Sequence, residues 1–184
     1  ALSSLALELS LVLESLESGV TFEVLGGEET RPARAKEGPP PALNLAIPAP
    51  CGLSCNFCSI REEVYWVTDA ESAFVKALRS DIVRSGEAGT KTLRVNGIEP
   101  LNAPYLLTLL DQARDSGFEE FHVFSTCRPL RDPEFADKFI AAMPERYRIY
   151  APIYGSSAEV HEGVTGTPGS LDHLLEAVGV LRER

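Results

Sequence analysis

Hydrophobic and polar positions follow a repeated order from residue 42 onward, in which short apolar runs alternate with longer amphipathic ones. Four short runs predict β-strands, over 43–47, 93–95, 121–124 and 148–153. Each run is followed by apolar residues spaced three and four apart, which indicates a helix that buries one face. Strand–helix units in series predict an α/β fold with a parallel sheet and right-handed crossovers.

Polar residues and a proline indicate where the helices begin. Thr68, with Glu three positions later, is typical of a capping box, and Asn102 is a candidate cap for the second helix. Asp132 before Pro133 predicts the start of the third helix, and Ser170 that of the fourth. The positions expected to be buried on these helices are Phe74, Ala77, Leu78 and Ile82; Leu106, Leu109, Leu110 and Ala113; Phe135, Phe139 and Met143; and Leu171, Leu174, Leu175, Val178 and Leu181.

Residues 1–41 precede this series and read as a separate N-terminal element, whereas residues 42–184 form the predicted core. The leading stretch is rich in Leu but contains Glu8 and Glu14 and has no basic start, which argues against an export signal. No apolar run approaches the roughly 20 residues that cross a bilayer, so no membrane partner is expected. The N-terminal element is predicted to contain a helix, a strand and a Pro/Gly-rich linker, over 2–16, 20–25 and 26–41.

The charge balance limits the classes of partner. The 184 residues include 17 Lys and Arg against 27 Asp and Glu, a net charge of −10. A chain this acidic does not offer a broad basic surface, so a nucleic-acid partner is not expected. A peptide or a small molecule is the expected substrate class.

Three of the four cysteines, Cys51, Cys55 and Cys58, lie in the loop after the first predicted strand. Three thiolates on one short loop can bind three irons of a cubane cluster and leave the fourth iron open to an outside ligand. A structural zinc site with Cys127 as fourth ligand and a redox dithiol at the last pair are the alternatives. Cysteines that serve as ligands rather than as a disulfide scaffold indicate a reducing, cytoplasmic setting.

The loop Cys-Gly-Leu-Ser-Cys-Asn-Phe-Cys, with Phe57 before its last cysteine, resembles the signature of the radical S-adenosylmethionine (radical SAM) superfamily. The resemblance implies a partial (β/α) barrel with parallel strands, in which four βα units follow the N-terminal helix and strand. Because the superfamily core usually has six such units, residues 42–184 are expected to be a truncated core.

The same resemblance implies the cofactors and the reaction. Cys51, Cys55 and Cys58 would bind a [4Fe-4S] cluster, and S-adenosyl-L-methionine (AdoMet) would bind the open iron. Reductive cleavage of AdoMet would form a 5′-deoxyadenosyl radical that abstracts hydrogen from a peptide or small-molecule substrate, with a flavodoxin or ferredoxin as electron donor. The alternative function is a non-catalytic iron–sulfur or zinc module for assembly or electron transfer.

Further motifs that resemble the superfamily's imply the contacts with AdoMet. The segment Asn-Gly-Ile-Glu-Pro after the second strand resembles the Gly-Gly-Glu-Pro motif, which implies that Gly97 and Glu99 hold the amino group of AdoMet. Ser125 and Tyr154, after the third and fourth strands, and Phe57 complete the implied cofactor-binding residues. No side chain is assigned a catalytic role.

The segment after the fourth strand, which contains Tyr154, differs from many superfamily members at position 163 and also contains the titratable residue His161. Many members have Arg where this chain has Gly163, so an arginine contact with the carboxylate of AdoMet must come from elsewhere or be absent. His161 is expected to structure its loop, with proton donation as the alternative. His122 and His173 are expected to be structural.

Overall fold

Buried and less buried positions alternate along three of the four strands, so the sheet turns one face toward the core and the other away from it. The computed structural model describes residues 40–58 and 66–184. The four strands pair in parallel in the order β1-β2-β3-β4, which confirms the predicted α/β fold with strand–helix units. The strands are β1 Leu43–Ile47, β2 Thr92–Gly97, β3 Glu120–Phe124 and β4 Arg146–Tyr150, the last one beginning earlier than predicted.

Helices pack against one face of this sheet. They are α1 Ala73–Glu87, α2 Leu106–Asp115, α3 Pro133–Ala142, α4 Ala158–Thr165 and α5 Ser170–Arg182, with short 3-10 helices at Pro100–Asn102 and Arg128–Arg131. Apolar side chains of α1, α2 and α3 form one core with alternate strand residues such as Leu45, Val95 and Phe121. None of the helices in the described ranges is both long and apolar enough to cross a bilayer.

The opposite face of the sheet is polar, and we call it the open sheet face. None of its residues is buried. It consists of Asn44 and Ala46 on β1, Thr92, Arg94 and Asn96 on β2, Glu120, His122 and Phe124 on β3, and Arg146, Arg148 and Tyr150 on β4.

Two of the predicted helix caps are wrong. Helix α1 begins after Ser72, whose hydroxyl accepts a hydrogen bond from Val75 N at 3.3 Å, and not at Thr68. Asn102 lies in the first 3-10 helix, and its side-chain amide donates to Pro50 O at 2.6 Å instead of capping α2. Tyr105 precedes α2 and makes no side-chain cap.

The cap at Asp132 is confirmed, whereas that at Ser170 is displaced. The Asp132 carboxylate accepts from Glu134 N at 3.0 Å at the start of α3. Ser170 is the first residue of α5 and follows Gly169, and its hydroxyl lies 2.7 Å from that of Thr165. Helix α4 stands where the sequence predicts a loop around His161.

The predicted buried positions of the helices agree best with the structure for α2, where all four are buried. On α1, Phe74 and Ala77 are exposed and Val75 is buried in their place. On α5, Leu175 is 49% exposed. The predicted N-terminal helix, the strand after it and nearly all of the linker lie outside the described residues.

Candidate functional site

The cysteine loop, residues 51–58, follows β1 and is fastened to the end of helix α4. Ser54 N donates to Thr165 O at 3.0 Å, and Asn56 N donates to Val164 O at 3.1 Å. Ser54 N also lies 3.0 Å from the hydroxyl oxygen of Thr167, which accepts from it. Carbonyls in the last turn of a helix have no partner within the helix. The loop satisfies two of them, so α4 and the loop fix each other's position.

A glycine makes this close approach possible. Gly166 ends α4 with φ 60°, and a Cβ at that position would lie 2.4 Å from Ser54 O. The left-handed conformation and the lack of space both favour glycine. The position of the cysteine loop therefore depends on a residue more than 100 positions away in the sequence.

The three loop cysteines lie close enough to Tyr154 for their charges to act on its hydroxyl group. All three are half-buried, and none forms a disulfide bond. Burial is the main cause of the raised pKa of Tyr154, and the charges of Cys55, Cys51 and Cys58 raise it further, in that order. Phe57, 60% exposed, packs edge-on against the Tyr154 ring with centroids 5.4 Å apart. The structure thus brings the predicted ligands together with two of the predicted cofactor contacts.

Glu99 lies at the same edge of the sheet but is completely buried. One carboxylate oxygen accepts from Leu101 N at 3.2 Å and from the Ser125 hydroxyl at 2.6 Å. The other accepts from Thr126 N at 2.8 Å and from the Thr126 hydroxyl. Four protein donors therefore use this carboxylate, which joins the end of β2 to that of β3.

Ser125 is also engaged within the protein. Its hydroxyl donates to Glu99 and accepts from Cys127 N at 2.8 Å, and its backbone N–H donates to Tyr150 O at 3.0 Å. The residue is 5% exposed. In this arrangement Ser125 links three strand ends, while its neighbour Thr126 is the one that lines the adjacent cavity.

A small cavity lies between the cysteine loop and helices α4 and α5. Of the residues predicted to bind the cluster or AdoMet, Tyr154 is the one that lines this cavity. The lining residues are Leu53, Thr126, Arg128, Pro152, Tyr154, His161, Thr165, Ser170 and Leu174.

Arg128 is the functional candidate that sequence reasoning missed. Its Nη1 donates to Gly52 O at 2.9 Å, and its Nε is buried without a partner among the described residues. Burial raises the pKa of Cys51, as do the charges of Glu99 and Cys55, whereas a backbone hydrogen bond from Leu53 and the charge of Arg128 lower it. The signal for Arg128 was its place, a cation just after the carboxyl end of β3.

His161 is buried behind Tyr154. Its Nδ1 accepts a hydrogen bond from Tyr154 N at 3.2 Å, and burial lowers its pKa although the charge of Glu162 opposes this. The ring is therefore neutral, with its proton on Nε2. This contact agrees with the expectation that His161 structures its loop.

Cys127 does not resemble a fourth metal ligand. It is 2% exposed, and burial, with a contribution from Glu99, raises its pKa to about 12. Metal binding requires the thiolate, and burial disfavours that form here.

The arrangement of donors bears on the kind of metal group. In residues 40–58 and 66–184, no three His, Cys, Asp or Glu side chains converge closely enough to hold one metal ion. A structural zinc ion needs four converging ligands, whereas each thiolate of a cubane cluster binds a different iron. Three cysteines on one loop match the number of protein ligands of a cubane cluster that leaves one iron open.

Comparison with known proteins gives one relative of interest. No family model matches the sequence. The chain is 28% identical over 149 residues to the AdoMet-dependent heme synthase of Methanosarcina barkeri (strain Fusaro / DSM 804). The match covers 78% of this chain and 40% of that protein, so the chain corresponds to well under half of its relative.

Proposed function

We propose that residues 42–184 form the first part of a radical SAM enzyme core, in which Cys51, Cys55 and Cys58 hold a [4Fe-4S] cluster. The observation that carries this proposal is the placement of three half-buried cysteines on one fastened loop at the carboxyl edge of a parallel sheet. Similarity to an AdoMet-dependent enzyme supports the same chemistry. The cytoplasm, where thiols stay reduced, is the proposed location.

The cluster would supply one electron that splits AdoMet into methionine and a 5′-deoxyadenosyl radical, which takes hydrogen from a peptide or small-molecule substrate. This chain's residues bind and orient the reactants. Phe57 and Tyr154 are proposed to flank the adenosyl part of AdoMet, because their rings pack together beside the thiols. The electron would come from a flavodoxin or ferredoxin.

The methionine part of AdoMet carries a positively charged amino group and a negatively charged carboxylate, so the protein groups that bind them differ in charge. Gly97, exposed at the end of β2, is our proposed contact for the amino group through its backbone. Glu99 and Ser125 are proposed to contribute mainly by positioning the strand ends, because protein donors already occupy the Glu99 carboxylate. Arg128 supplies the cation for the carboxylate, since its guanidinium lines the cavity beside the cysteine loop.

Iron and sulfide content of anaerobically reconstituted protein tests the ligand set. The unmodified chain should bind a full cluster, and Cys55→Ala should lose most of it. Cys127→Ala is the matched control and should retain the cluster, because its thiol is buried and protonated. A Cys55→Ala protein with full iron content would show that the assigned ligands are wrong.

A further inference from the structure

The turn after β3 holds Cys127 in a backbone conformation that residues with a side chain rarely adopt. Of the residues that the structure describes, Cys127 is the one other than glycine with a positive φ, at 62°. Such a strained conformation persists only where its surroundings fix it. Here the Ser125 hydroxyl accepts from Cys127 N at 2.8 Å, and the Glu99 carboxylate binds both the backbone N–H and the hydroxyl of Thr126. Hydrogen bonds on the β3 side therefore fix the turn.

This turn brings Arg128 to the cysteine loop. Arg128 directly follows Cys127 and begins the second 3-10 helix, and its Nη1 donates to Gly52 O at 2.9 Å. Gly52 has φ 73°, and a Cβ at that position would lie 2.8 Å from the same Nη1. The left-handed conformation and the approach of the guanidinium both favour glycine there. The guanidinium therefore binds the loop backbone at the residue next to Cys51.

The contacts of Arg128 leave its positive charge available to the cysteine loop. Its Nε is buried without a partner in the part of the chain that the structure describes. The buried carboxylate of Glu99 accepts its four hydrogen bonds from other donors. Burial is the main cause of the raised pKa of Cys51, and the charge of Arg128 is one of the influences that lower it. The charge of Arg128 therefore acts on the first of the three loop cysteines.

We propose that Arg128 is a positioning residue for the cysteine loop, which it anchors through Gly52 O, and that its charge beside Cys51 makes the cluster on this loop easier to reduce. Reduction adds one electron, supplied by the electron-donor protein, and hence one negative charge next to the guanidinium. A nearby cation stabilises that charge, and net charge and hydrogen bonding are among the properties that set the potential of iron–sulfur clusters. The redox role rests on the proposed function, whereas the anchoring does not.

Reduction potentials of the anaerobically reconstituted chain, measured without AdoMet, test the effect of the charge. Arg128→Gln keeps a hydrogen-bond donor but loses the charge, and it should lower the equilibrium constant for one-electron reduction about tenfold, a shift of about 59 mV to lower potential. Arg128→Lys keeps the charge and should stay within about threefold of the unmodified chain. Arg131→Gln removes the same charge from the same 3-10 helix, where Arg131 pairs with Glu176, and is the matched control. Equal potentials of Arg128→Gln and Arg131→Gln would overturn the redox role.

Hydrogen–deuterium exchange of the iron-free protein tests the anchoring. The backbone amides of Ser54 and Asn56 bind carbonyls at the end of α4, so their exchange reports on the position of the loop. Arg128→Met has neither charge nor donor and should raise the exchange rate of a peptide covering 51–58 about fivefold or more. Arg128→Gln should raise it less, and Arg131→Met should leave it unchanged. Circular dichroism confirms that each variant is folded. Unchanged exchange in folded Arg128→Met would contradict the anchoring.

The two proposals fail separately. A cluster whose potential falls in Arg128→Gln, in a chain that never cleaves AdoMet, would overturn the proposed function alone. Cleavage of AdoMet by a chain whose cluster potential does not depend on Arg128 would overturn the redox role alone. A chain that binds no cluster would overturn the proposed function and the redox role together, while the exchange measurement on iron-free protein still decides the anchoring.

Discussion

The Ser125 hydroxyl donates to the fully buried carboxylate of Glu99 across 2.6 Å and so joins the ends of β3 and β2. The same carboxylate accepts three further hydrogen bonds, two of them from Thr126. Buried charge is tolerated only when it is fully hydrogen-bonded. The edge of the sheet beside the cysteine loop therefore depends on this carboxylate for its shape.

Glu99→Gln should destabilise the fold. The amide has the same shape, but its NH₂ group would face N–H or hydroxyl donors that now reach a carboxylate oxygen. We expect the free energy of unfolding to fall by about 1–3 kcal/mol, measured by urea denaturation. Glu87→Gln, at the exposed end of α1, is the control and should change little. Equal stability of the two variants would show that the buried carboxylate does not hold the strand ends.

Gly166→Ala should displace the cysteine loop. An alanine there must adopt a left-handed conformation and place its Cβ against Ser54 O, so we expect a loss of about 1–3 kcal/mol in stability and a lower iron content after reconstitution. Gly179→Ala in α5 has open space around the added methyl group and serves as control. Normal iron loading in Gly166→Ala would mean that α4 does not set the loop's position.

The cysteines should differ in reactivity towards iodoacetamide in the iron-free protein at pH 8. Cys127 should be protected in the folded state because it is buried and its pKa is about 12. The half-buried Cys55 and Cys58 should be modified at least tenfold faster, and all four should react in urea. Mass spectrometry of timed samples measures this. Rapid modification of Cys127 in native protein would contradict its burial.

Protonation of His161 should destabilise the iron-free protein. Burial lowers its pKa in the folded state, so below the ordinary value of about 6.5 the unfolded chain binds more protons than the folded one. The free energy of unfolding should therefore fall as the pH drops from there through the folded pKa, and this contribution should level off below it. His161→Asn, which keeps an acceptor near Tyr154 N, should lack this part of the pH dependence. Identical pH profiles for the two proteins would contradict the prediction.

The sequence predicted most of the sheet and the buried face of α2. Both depend on the local spacing of apolar and polar residues. Helix α1 begins later than predicted because Asp69 accepts from Glu71 N at 2.8 Å and forms a turn there. Helix α4 escaped prediction because it is only 8 residues long and Gly163 lies inside it. Local chemistry can thus compete with a pattern that is read from spacing alone.

Candidate site residues could be proposed from the sequence only where they are contiguous or follow directly after a predicted strand. The cysteine loop could be read from its spacing, and Tyr154 from its place after a strand. The burial of Glu99 and the position of Arg128 beside Gly52 depend on how separate segments pack, which no local pattern encodes.

The most direct measurement is the formation of 5′-deoxyadenosine from AdoMet by anaerobically reconstituted protein with dithionite as reductant, followed by chromatography. The unmodified chain and Cys127→Ala should form it together with methionine, and Cys55→Ala should not. A chain that holds a complete [4Fe-4S] cluster yet leaves AdoMet intact would contradict the radical SAM assignment and favour a non-catalytic iron–sulfur module.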